Sequence, residues 1–281
     1  MIIWLASYPK SGNTLLRTIL SAYLYTDNGN FKFELLDYIK QFPAKIWFKK
    51  IGVDIDNKFE VEKNYIQAQK LINSYNSNNF LKTHSSYQLN YHYKFTDFEN
   101  TLGAIYVVRD PRNVVTSFSN HFQMTQEQSL EKMLSSSFET EIGGVKNDVP
   151  VFVSSWSSNY NSWKSEELKD KCLLIRYEDL INKKKETIIK ILEFIAKLSR
   201  IKLKLNEKKL ENTLKTTDFN YLKKLEKEKG FVEAIIDSKT GKRINFFNLG
   251  PKNEWKNLLK DNIRKKIEDL FKQEMIELEY L

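Results

Sequence analysis

Residues 2–24 read IIWLASYPKSGNTLLRTILSAYL, and this stretch decides the fold. The apolar run at 2–7 predicts a short buried strand, and residues 8–12 predict a tight loop after it. From Asn13 to Leu24 the apolar side chains follow helical spacing, and Asn13 suits the helix cap. The chain therefore opens as strand, loop and helix.

The alternation of strand and helix continues along the chain. Further short apolar strands are predicted at 79–84, 102–108 and 171–176. Because such strands alternate with helical patterns, we expect an α/β fold whose sheet is mainly parallel and flanked by helices. Each strand ends in conspicuous polar residues, and ligands bind at the carboxyl ends of strands in open parallel sheets.

The remaining segments are less regular. Residues 31–75 predict mixed, mostly helical structure, 151–166 predict a helix, and 262–278 predict a final amphipathic helix. Asp179 is the predicted cap of a helix that runs through Ile195. No linker suggests two independent parts, so we expect a single domain over residues 1–281.

Composition and charge exclude several classes of protein. Hydrophobic residues make up 41% of the chain and aromatic residues 13%, which excludes wholesale disorder. The net charge of +9 favours an anionic partner without saying which anion, since the Lys-rich stretch 182–229 is typical of a solvated helical face. The single Cys172 excludes an internal disulfide and a Cys-rich metal site. Neither a signal peptide nor an apolar run of about 20 residues is present, so we expect a cytoplasmic protein without a membrane span.

The first loop has the composition of an anion site. A loop that leads into a helix presents unpaired N–H groups and the positive end of the helix dipole. Lys10 adds a mobile charge, Gly12 permits the turn, and Ser11, Asn13 and Thr14 add donors. The loop is not a Walker A sequence, because the lysine precedes the glycine. A tight turn with a surface lysine remains the alternative.

Several segments of the chain resemble the cytosolic-type sulfotransferase family. Residues 7–17, SYPKSGNTLLR, are similar to its 5′-phosphosulfate loop, and residues 82–84, KTH, to its second element. Residues 106–118, YVVRDPRNVVTSF, resemble its 3′-phosphate element. YEDL at 177–180 and FNLGPKNEWKN at 247–257 are similar to its two later motifs. The chain is thus identified as a member, with a bacterial source as the expectation.

This resemblance implies a P-loop-like fold and transfer of a sulfuryl group. The implied donor is 3′-phosphoadenosine 5′-phosphosulfate, the product nucleotide is adenosine 3′,5′-bisphosphate, and no metal is expected. The acceptor is a small molecule with a hydroxyl or an amine, and nucleic acid is not expected as a partner. His84 is the candidate general base, since imidazole suits proton transfer near neutral pH. Lys10 is expected to stabilise the leaving phosphate and Lys82 the transferring group.

The other candidate residues contact the donor nucleotide. Arg109 and Ser117 are the candidates for the 3′-phosphate, although Arg109 alternatively pairs with Asp110 or Glu178. Tyr177 is the candidate for the adenine, with a core tyrosine as the alternative. The remaining candidates for donor contacts come from two loops. The phosphate loop supplies Lys10, Ser11, Gly12, Asn13 and Thr14, and the late loop at residues 247–257 supplies Asn248 and Gly250. His92 and His121 match no catalytic element and are interpreted as structural.

Three departures from the family pattern affect the donor. Leu15 stands where the family usually has tryptophan, and Asn248 with Leu249 stands where it has Arg-Lys. Weaker donor binding is therefore expected, unless Lys252, or Lys242 with Arg243, replaces the missing cations. The dimer element of the family is not recognisable, which leaves the oligomeric state open.

Two other functions compete with the sulfotransferase. A nucleotide kinase or NTPase would need a Walker lysine and a magnesium ligand, which the motifs do not supply. A nucleotide- or RNA-binding protein is suggested by the charge, but the lysines are dispersed rather than interleaved with aromatic residues. The acceptor itself is not predicted, and sugars, lipids, phenols and small alcohols all remain open.

Overall fold

The computed structural model describes residues 1–75, 79–90, 93–140, 149–236, 241 and 243–281. Its main sheet has five parallel strands in the order β2-β3-β1-β6-β9. These strands are β1 (Ile2–Ser7), β2 (Lys40–Gln41), β3 (Asn79–Thr83), β6 (Thr101–Val108) and β9 (Cys172–Arg176). Three antiparallel two-stranded pieces are β4 (Leu89–Asn90) with β5 (Tyr93–Lys94), β7 (Glu139–Thr140) with β8 (Val151–Phe152), and β10 (Ile235–Ile236) with β11 (Arg243–Ile244).

Helices cover both faces of this sheet. In the first half they are α1 (Asn13–Leu24), α2 (Lys45–Lys50), α3 (Lys58–Lys63), α4 (Tyr65–Tyr75), α5 (Pro111–Phe122) and α6 (Gln126–Leu134). The second half adds α7 (Trp156–Ser162), α8 (Tyr177–Asn182), α9 (Lys184–Leu198), α10 (Glu207–Thr216), α11 (Phe219–Lys229), α12 (Trp255–Leu258), α13 (Asp261–Leu270) and α14 (Lys272–Glu277). Short 3₁₀ turns lie at Phe33–Tyr38, Glu166–Leu168 and Gly250–Lys252. None of the described helices is both long and apolar enough to cross a bilayer.

The central strand β1 is buried on both faces, as its continuous apolar sequence predicts. Trp4 points to one face, where its ring lies 4.8 Å from that of Phe95 and its indole N–H donates to Thr101 Oγ1 at 2.9 Å. Ile3 and Leu5 point to the other face and pack in one cluster with α1 and α9. Two apolar layers thus hold the sheet, and the predicted α/β fold is confirmed.

The strand register sets which residues meet beyond the sheet. Ala6 of β1 pairs with Thr83 of β3, so the following residues, Ser7 and His84, come side by side. Val108 of β6 pairs with Arg176 of β9 in the same way. Since all of these strands run parallel, their polar ends gather at one edge.

Two predicted helix caps are wrong. Helix α1 has Gly12 at its N-cap, and Asn13 is its first helical residue. The Asn13 side chain instead turns back and donates to the Leu5 carbonyl at 2.8 Å. Asp179 lies inside α8 and pairs with Arg176, while α9 starts after Lys183.

Several predicted helix lengths also differ from the structure. The helix expected at 151–166 is confined to Trp156–Ser162, because the Ser155 hydroxyl caps it by accepting from Ser158 N. The final helix is two helices, α13 and α14, separated at Phe271. In both cases the apolar pattern continues through the break, and only the local backbone geometry marks it.

Candidate active site

One cavity of about 460 Å³, a volume typical of small-molecule sites, lies at the carboxyl ends of β1, β3, β6 and β9. The late loop at residues 247–257 closes its remaining side. All but one of the predicted site residues line it, from five segments far apart in the sequence, namely Lys10, Gly12, Asn13, Thr14, Lys82, His84, Arg109, Ser117, Tyr177, Asn248 and Gly250. The exception, Ser11, is fully buried beneath the loop. The sequence therefore identified a set of residues that the fold brings together.

The first loop has the shape of an anion cradle. Lys10 and Gly12 both have left-handed backbones, with φ of 64° and 106°, so the chain turns sharply before α1. Gly12 is required there for a second reason, because a Cβ atom would lie 2.4 Å from the Tyr177 ring. No described side chain caps α1, which leaves its first N–H groups for a ligand.

The hydroxyl of Ser11 is a buried, unpaired group of the same loop. Its Oγ atom has no hydrogen-bond partner within the described part of the chain, although the side chain is fully buried. A buried hydroxyl left unpaired costs roughly 1–3 kcal/mol. Because Ser11 does not line the cavity, this hydroxyl is not assigned a contact with a ligand there.

His84 is held in a defined protonation state. Its Nδ1 lies 2.7 Å from the carbonyl oxygen of Ser7, and because a carbonyl only accepts, Nδ1 carries the proton. Burial and the nearby charge of Lys82 lower the pKa of His84 to about 3. The ring is therefore neutral near pH 7, and Nε2 keeps a free lone pair.

A second contact, which the sequence did not predict, fixes the backbone of His84. The amide of Asn159, in the middle of α7, donates to the His84 carbonyl at 3.0 Å and to the Val153 carbonyl at 2.8 Å. The Tyr106 hydroxyl in turn donates to Asn159 Oδ1 at 2.8 Å. Since asparagine is also common as a plain helix residue, no sequence signal marks this position.

The two predicted lysines differ in their surroundings. Burial lowers the pKa of Lys10 to about 7, against the opposing charge of Glu233, and its Nζ lies 4.3 Å from the Phe246 ring centre. Burial also lowers the pKa of Lys82, whose Nζ is 3.5 Å from Glu233 Oε1. Lys10 is thus a cation without a close carboxylate in the described structure, whereas Lys82 is already paired.

Glu233 and Arg17 are cavity residues that the sequence analysis missed. Arg17 Nη1 donates to Glu233 Oε1 at 2.7 Å, and the Thr14 hydroxyl donates to Oε2 at 2.8 Å. Arg17 was detectable, because it lies three residues after Thr14 and so shares its face of α1. Glu233 gave no signal, since it comes from a distant segment without a motif.

Among the described residues Arg109 forms no ion pair with Asp110 or Glu178, although its charge acts against burial on the pKa of Glu178. Arg112, not Arg109, forms the ion pair with Asp110, at 2.8 Å. Arg109 donates to the Lys10 carbonyl at 3.1 Å, and its guanidinium lies 4.3 Å from the Tyr177 ring centre. Its Nε is buried without a hydrogen-bond partner in the described ranges. This geometry suits a guanidinium prepared for a phosphate.

The late loop lines the cavity without the cations expected to replace the missing pair. Lys252 is exposed and does not line the cavity. Arg243 donates to the Phe231 carbonyl and does not line it either. Lys242 lies outside the described residues. Neither Lys252 nor Arg243 is thus placed in the cavity lining, and the replacement of the missing Arg-Lys pair stays open.

An apolar wall lies beside the predicted adenine site. It consists of Leu15, Leu180, Ile181, Phe219 and Leu222, next to Tyr177. Phe219 was not among the predicted site residues. Its ring packs directly against Gly250, where an added Cβ atom would lie only 2.3 Å from the ring. This wall is a possible replacement for the tryptophan that Leu15 lacks.

His121 lines the cavity, and its interpretation as a structural residue stays a prediction. Its ring meets those of Phe122 and Phe246 edge to face, with centres 4.7 Å and 5.9 Å away. Burial, followed by the charge of Lys10, lowers the pKa of His121 to about 3. The other histidine in question, His92, lies outside the described residues.

The chain is similar to several proteins of known activity. The amine sulfotransferase of the rabbit Oryctolagus cuniculus is 22% identical over 97% of this chain and 80% of its own length. Sulfotransferase 2A1 of the macaque Macaca fascicularis is 26% identical, over 97% of this chain and 83% of its own. These relatives are mammalian, and the expected bacterial source stays a prediction.

Comparison with solved structures supports the fold. A mouse sulfotransferase, SULT7A1, whose crystal structure was determined with the nucleotide PAP, superposes with a TM-score of 0.59 at 18% identity. The match covers 97% of this chain and 83% of that protein. A family model of the sulfotransferase domain matches residues 2–279. The motifs, the cavity that they line and this match over nearly the whole length lead to one conclusion: the chain belongs to the sulfotransferase domain family.

Proposed function

We propose that this protein transfers a sulfuryl group from 3′-phosphoadenosine 5′-phosphosulfate to a hydroxyl or amine of a small molecule. The observation that carries the proposal is the bond between His84 Nδ1 and the Ser7 carbonyl. It leaves the basic Nε2 of a neutral imidazole in the same cavity as the phosphate loop. The family membership and the PAP bound to the mouse structure support the choice of donor.

The residues present fit that donor. The loop amides suit its 5′-phosphate, and the unpaired Nε of Arg109 suits the 3′-phosphate. Ser117, on the first turns of α5, lines the same cavity, as do Asn248 and Gly250. Tyr177 and the apolar wall suit the adenine. The donor supplies an activated sulfuryl group, and the protein supplies position and charge.

The chemistry assigned to the protein is one proton transfer and one charge stabilisation. His84 Nε2 takes the proton of the acceptor as the acceptor oxygen or nitrogen bonds to sulfur. The bond between sulfur and the phosphate oxygen breaks, and its electron pair stays on the phosphate. Lys10 offsets the charge that develops there, and Lys82 is placed near the transferring group. No metal is assigned a part in these steps.

The experiment is a binding and turnover test on the unmodified chain. Adenosine 3′,5′-bisphosphate should bind by isothermal titration without magnesium, and labelled donor should transfer sulfur to an acceptor from a panel of alcohols, phenols and amines. Binding of ATP only with magnesium would favour a nucleotide kinase instead. Failure of both nucleotide binding and transfer would contradict the proposal.

The remaining predictions carry over unchanged. A single domain over 1–281, a cytoplasmic location and the absence of a nucleic-acid partner stay predictions, together with the absence of a metal. The acceptor class within the small molecules remains to be found by the panel.

A further inference from the structure

The carboxylate of Glu233 lies where three donors from other elements converge. The Thr14 hydroxyl donates to Oε2 at 2.8 Å, Arg17 Nη1 to Oε1 at 2.7 Å, and Lys82 Nζ is 3.5 Å from Oε1. The side chains are largely withdrawn from water, with exposures of 18% for Glu233, 9% for Arg17 and 11% for Lys82. Glu233 is thus a buried anion in the cavity already described.

Two of these donors are groups that the sulfuryl donor needs. Thr14 lies in the first turn of α1, beside the phosphate loop, and Lys82 precedes the candidate base His84. A carboxylate and a phosphosulfate make the same demands, because both are oxyanions that only accept hydrogen bonds. Two such anions on one set of cations would repel each other strongly in a cavity of low polarity. Glu233 and the donor therefore compete.

Glu233 is also placed so that it can leave. Phe231, two residues earlier, is buried and stacks on Phe33 with ring centres 4.6 Å apart, which anchors the segment. The intervening Val232 is 85% exposed, so no apolar packing holds the chain at that point. Beyond Phe231 the backbone bonds back from Ala234 N to the Phe231 carbonyl and enters β10, which pairs with β11. Only the polar contacts of the Glu233 side chain hold that side chain against Thr14, Arg17 and Lys82. A rotation of this side chain would free the donors without disturbing the core.

We propose that Glu233 is a competing anion in the donor site and that binding of the donor displaces its carboxylate from Thr14 and Lys82. The inference rests on the proposed function. Glu233 neutralises Arg17 and Lys82 while the site is empty, and it must be displaced before a donor contacts them. Weakly held anions cannot displace it, whereas a nucleotide with further contacts at Arg109 can. Glu233 thereby sets both the affinity and the selectivity for the donor.

The ionisation of Glu233 is consistent with this role. Burial by itself would raise its pKa, but the charges of Lys82 and Arg17 outweigh burial and hold the pKa well below its ordinary value. The carboxylate therefore stays charged throughout the physiological range. Its competition with the donor is that of one full anion with another.

The test compares the unmodified chain with Glu233→Gln and with Glu228→Gln as a matched control. Glu228 is an exposed carboxylate on α11 that pairs with Lys224 at 3.8 Å, away from the cavity lining. Titration with adenosine 3′,5′-bisphosphate should give a dissociation constant on the order of tenfold lower for Glu233→Gln than for the unmodified chain. The reason is that the nucleotide no longer has to displace a carboxylate from Thr14 and Lys82 before it binds. The control should bind as the unmodified chain does.

The outcomes separate this inference from the function on which it rests. Nucleotide binding to the unmodified chain with equal or weaker binding to Glu233→Gln overturns the inference and leaves the proposed function standing. No binding to any of the three proteins overturns the proposed function. A second measurement needs no variant: in crystals soaked with the nucleotide, Glu233 should have left the Thr14 hydroxyl. A carboxylate that still accepts from Thr14 beside bound nucleotide would overturn the inference.

Discussion

The Nδ1 atom of His84 lies 2.7 Å from the carbonyl oxygen of Ser7, across two neighbouring parallel strands. This bond determines the tautomer of the imidazole and leaves Nε2 unprotonated, on a residue that lines the cavity. It follows from the register of β1 and β3, because Ala6 pairs with Thr83 and the next residue of each strand comes into contact. The sheet itself therefore prepares the base.

Loss of the imidazole should remove turnover and leave donor binding intact. We expect His84→Ala and His84→Asn each to lower kcat by about 10²- to 10⁴-fold, since neither supplies the basic Nε2. The asparagine amide can still donate to the Ser7 carbonyl, so this variant separates position from proton transfer. The dissociation constant of adenosine 3′,5′-bisphosphate should change by no more than about twofold in either variant. Normal turnover of His84→Ala would remove the base assignment.

The lowered pKa of Lys10 should make nucleotide binding depend on pH. Below about pH 7 the amine is protonated in the empty site, and above it the amine loses its charge. A bound phosphate favours the charged form, so the affinity should fall as the pH rises from 7 to 9, by up to about tenfold per pH unit. Titrations in buffers of different ionisation enthalpy should show proton uptake at pH 8.

The variant Lys10→Arg provides the control for that dependence, since a guanidinium stays charged in this range. The fall in affinity above pH 7 should therefore be smaller in Lys10→Arg than in the unmodified chain. Burial also lowers the pKa of Lys82, and that of Lys184 to about 8, and both lysines line the cavity, so part of the pH dependence should remain in the variant. His84 and His121 do not contribute, because burial lowers the pKa of each to about 3. An unchanged pH dependence in Lys10→Arg would contradict the assignment to Lys10.

Arg109 should be a specific contact for the nucleotide. Replacement by lysine keeps the charge but removes the fork of N–H donors, so Arg109→Lys should weaken binding of adenosine 3′,5′-bisphosphate by roughly tenfold. Arg264→Lys is the matched control, because Arg264 pairs with Glu268 within α13 and does not line the cavity. Equal effects of the two changes would show that Arg109 has no special part.

Gly12 should tolerate no side chain. Gly12→Ala combines a left-handed backbone, with φ of 106°, and a contact of 2.4 Å with Tyr177, and we expect it to destabilise the fold by about 2–4 kcal/mol. Gly52→Ala has a similar backbone, with φ of 74°, but its Cβ meets open space, so it should cost only about 1 kcal/mol. Thermal unfolding of both variants measures the difference. Equal losses of unfolding free energy in the two variants would show that the contact with Tyr177 does not contribute to the cost of Gly12→Ala.

Local pattern was sufficient for most of the sheet. β1 has the predicted bounds Ile2–Ser7, and β3, β6 and β9 differ by about one residue from the strands expected at 79–84, 102–108 and 171–176. β1 and β6 are buried along almost their whole length and contain continuous apolar runs, which is a strong local signal. β9 has an apolar run as well, although it lies at the edge of the sheet and its Leu174 is exposed. The caps at Asn13 and Asp179 failed because each polar side chain binds a partner other than the N–H groups of the helix start. Asn13 binds the Leu5 carbonyl, and Asp179 binds Arg176.

The sequence by itself determined the chemical composition of the site: the phosphate loop, the KTH element and the arginine after β6 are local motifs that any correct fold must place at strand ends. The tertiary structure alone decided the tautomer of His84, the unpaired state of Arg109 and the entry of Glu233 between Arg17 and Lys82. The reason is physical. A motif fixes which groups follow a strand, whereas Arg17 meets Glu233 only because segments more than 200 residues apart fold into one cavity.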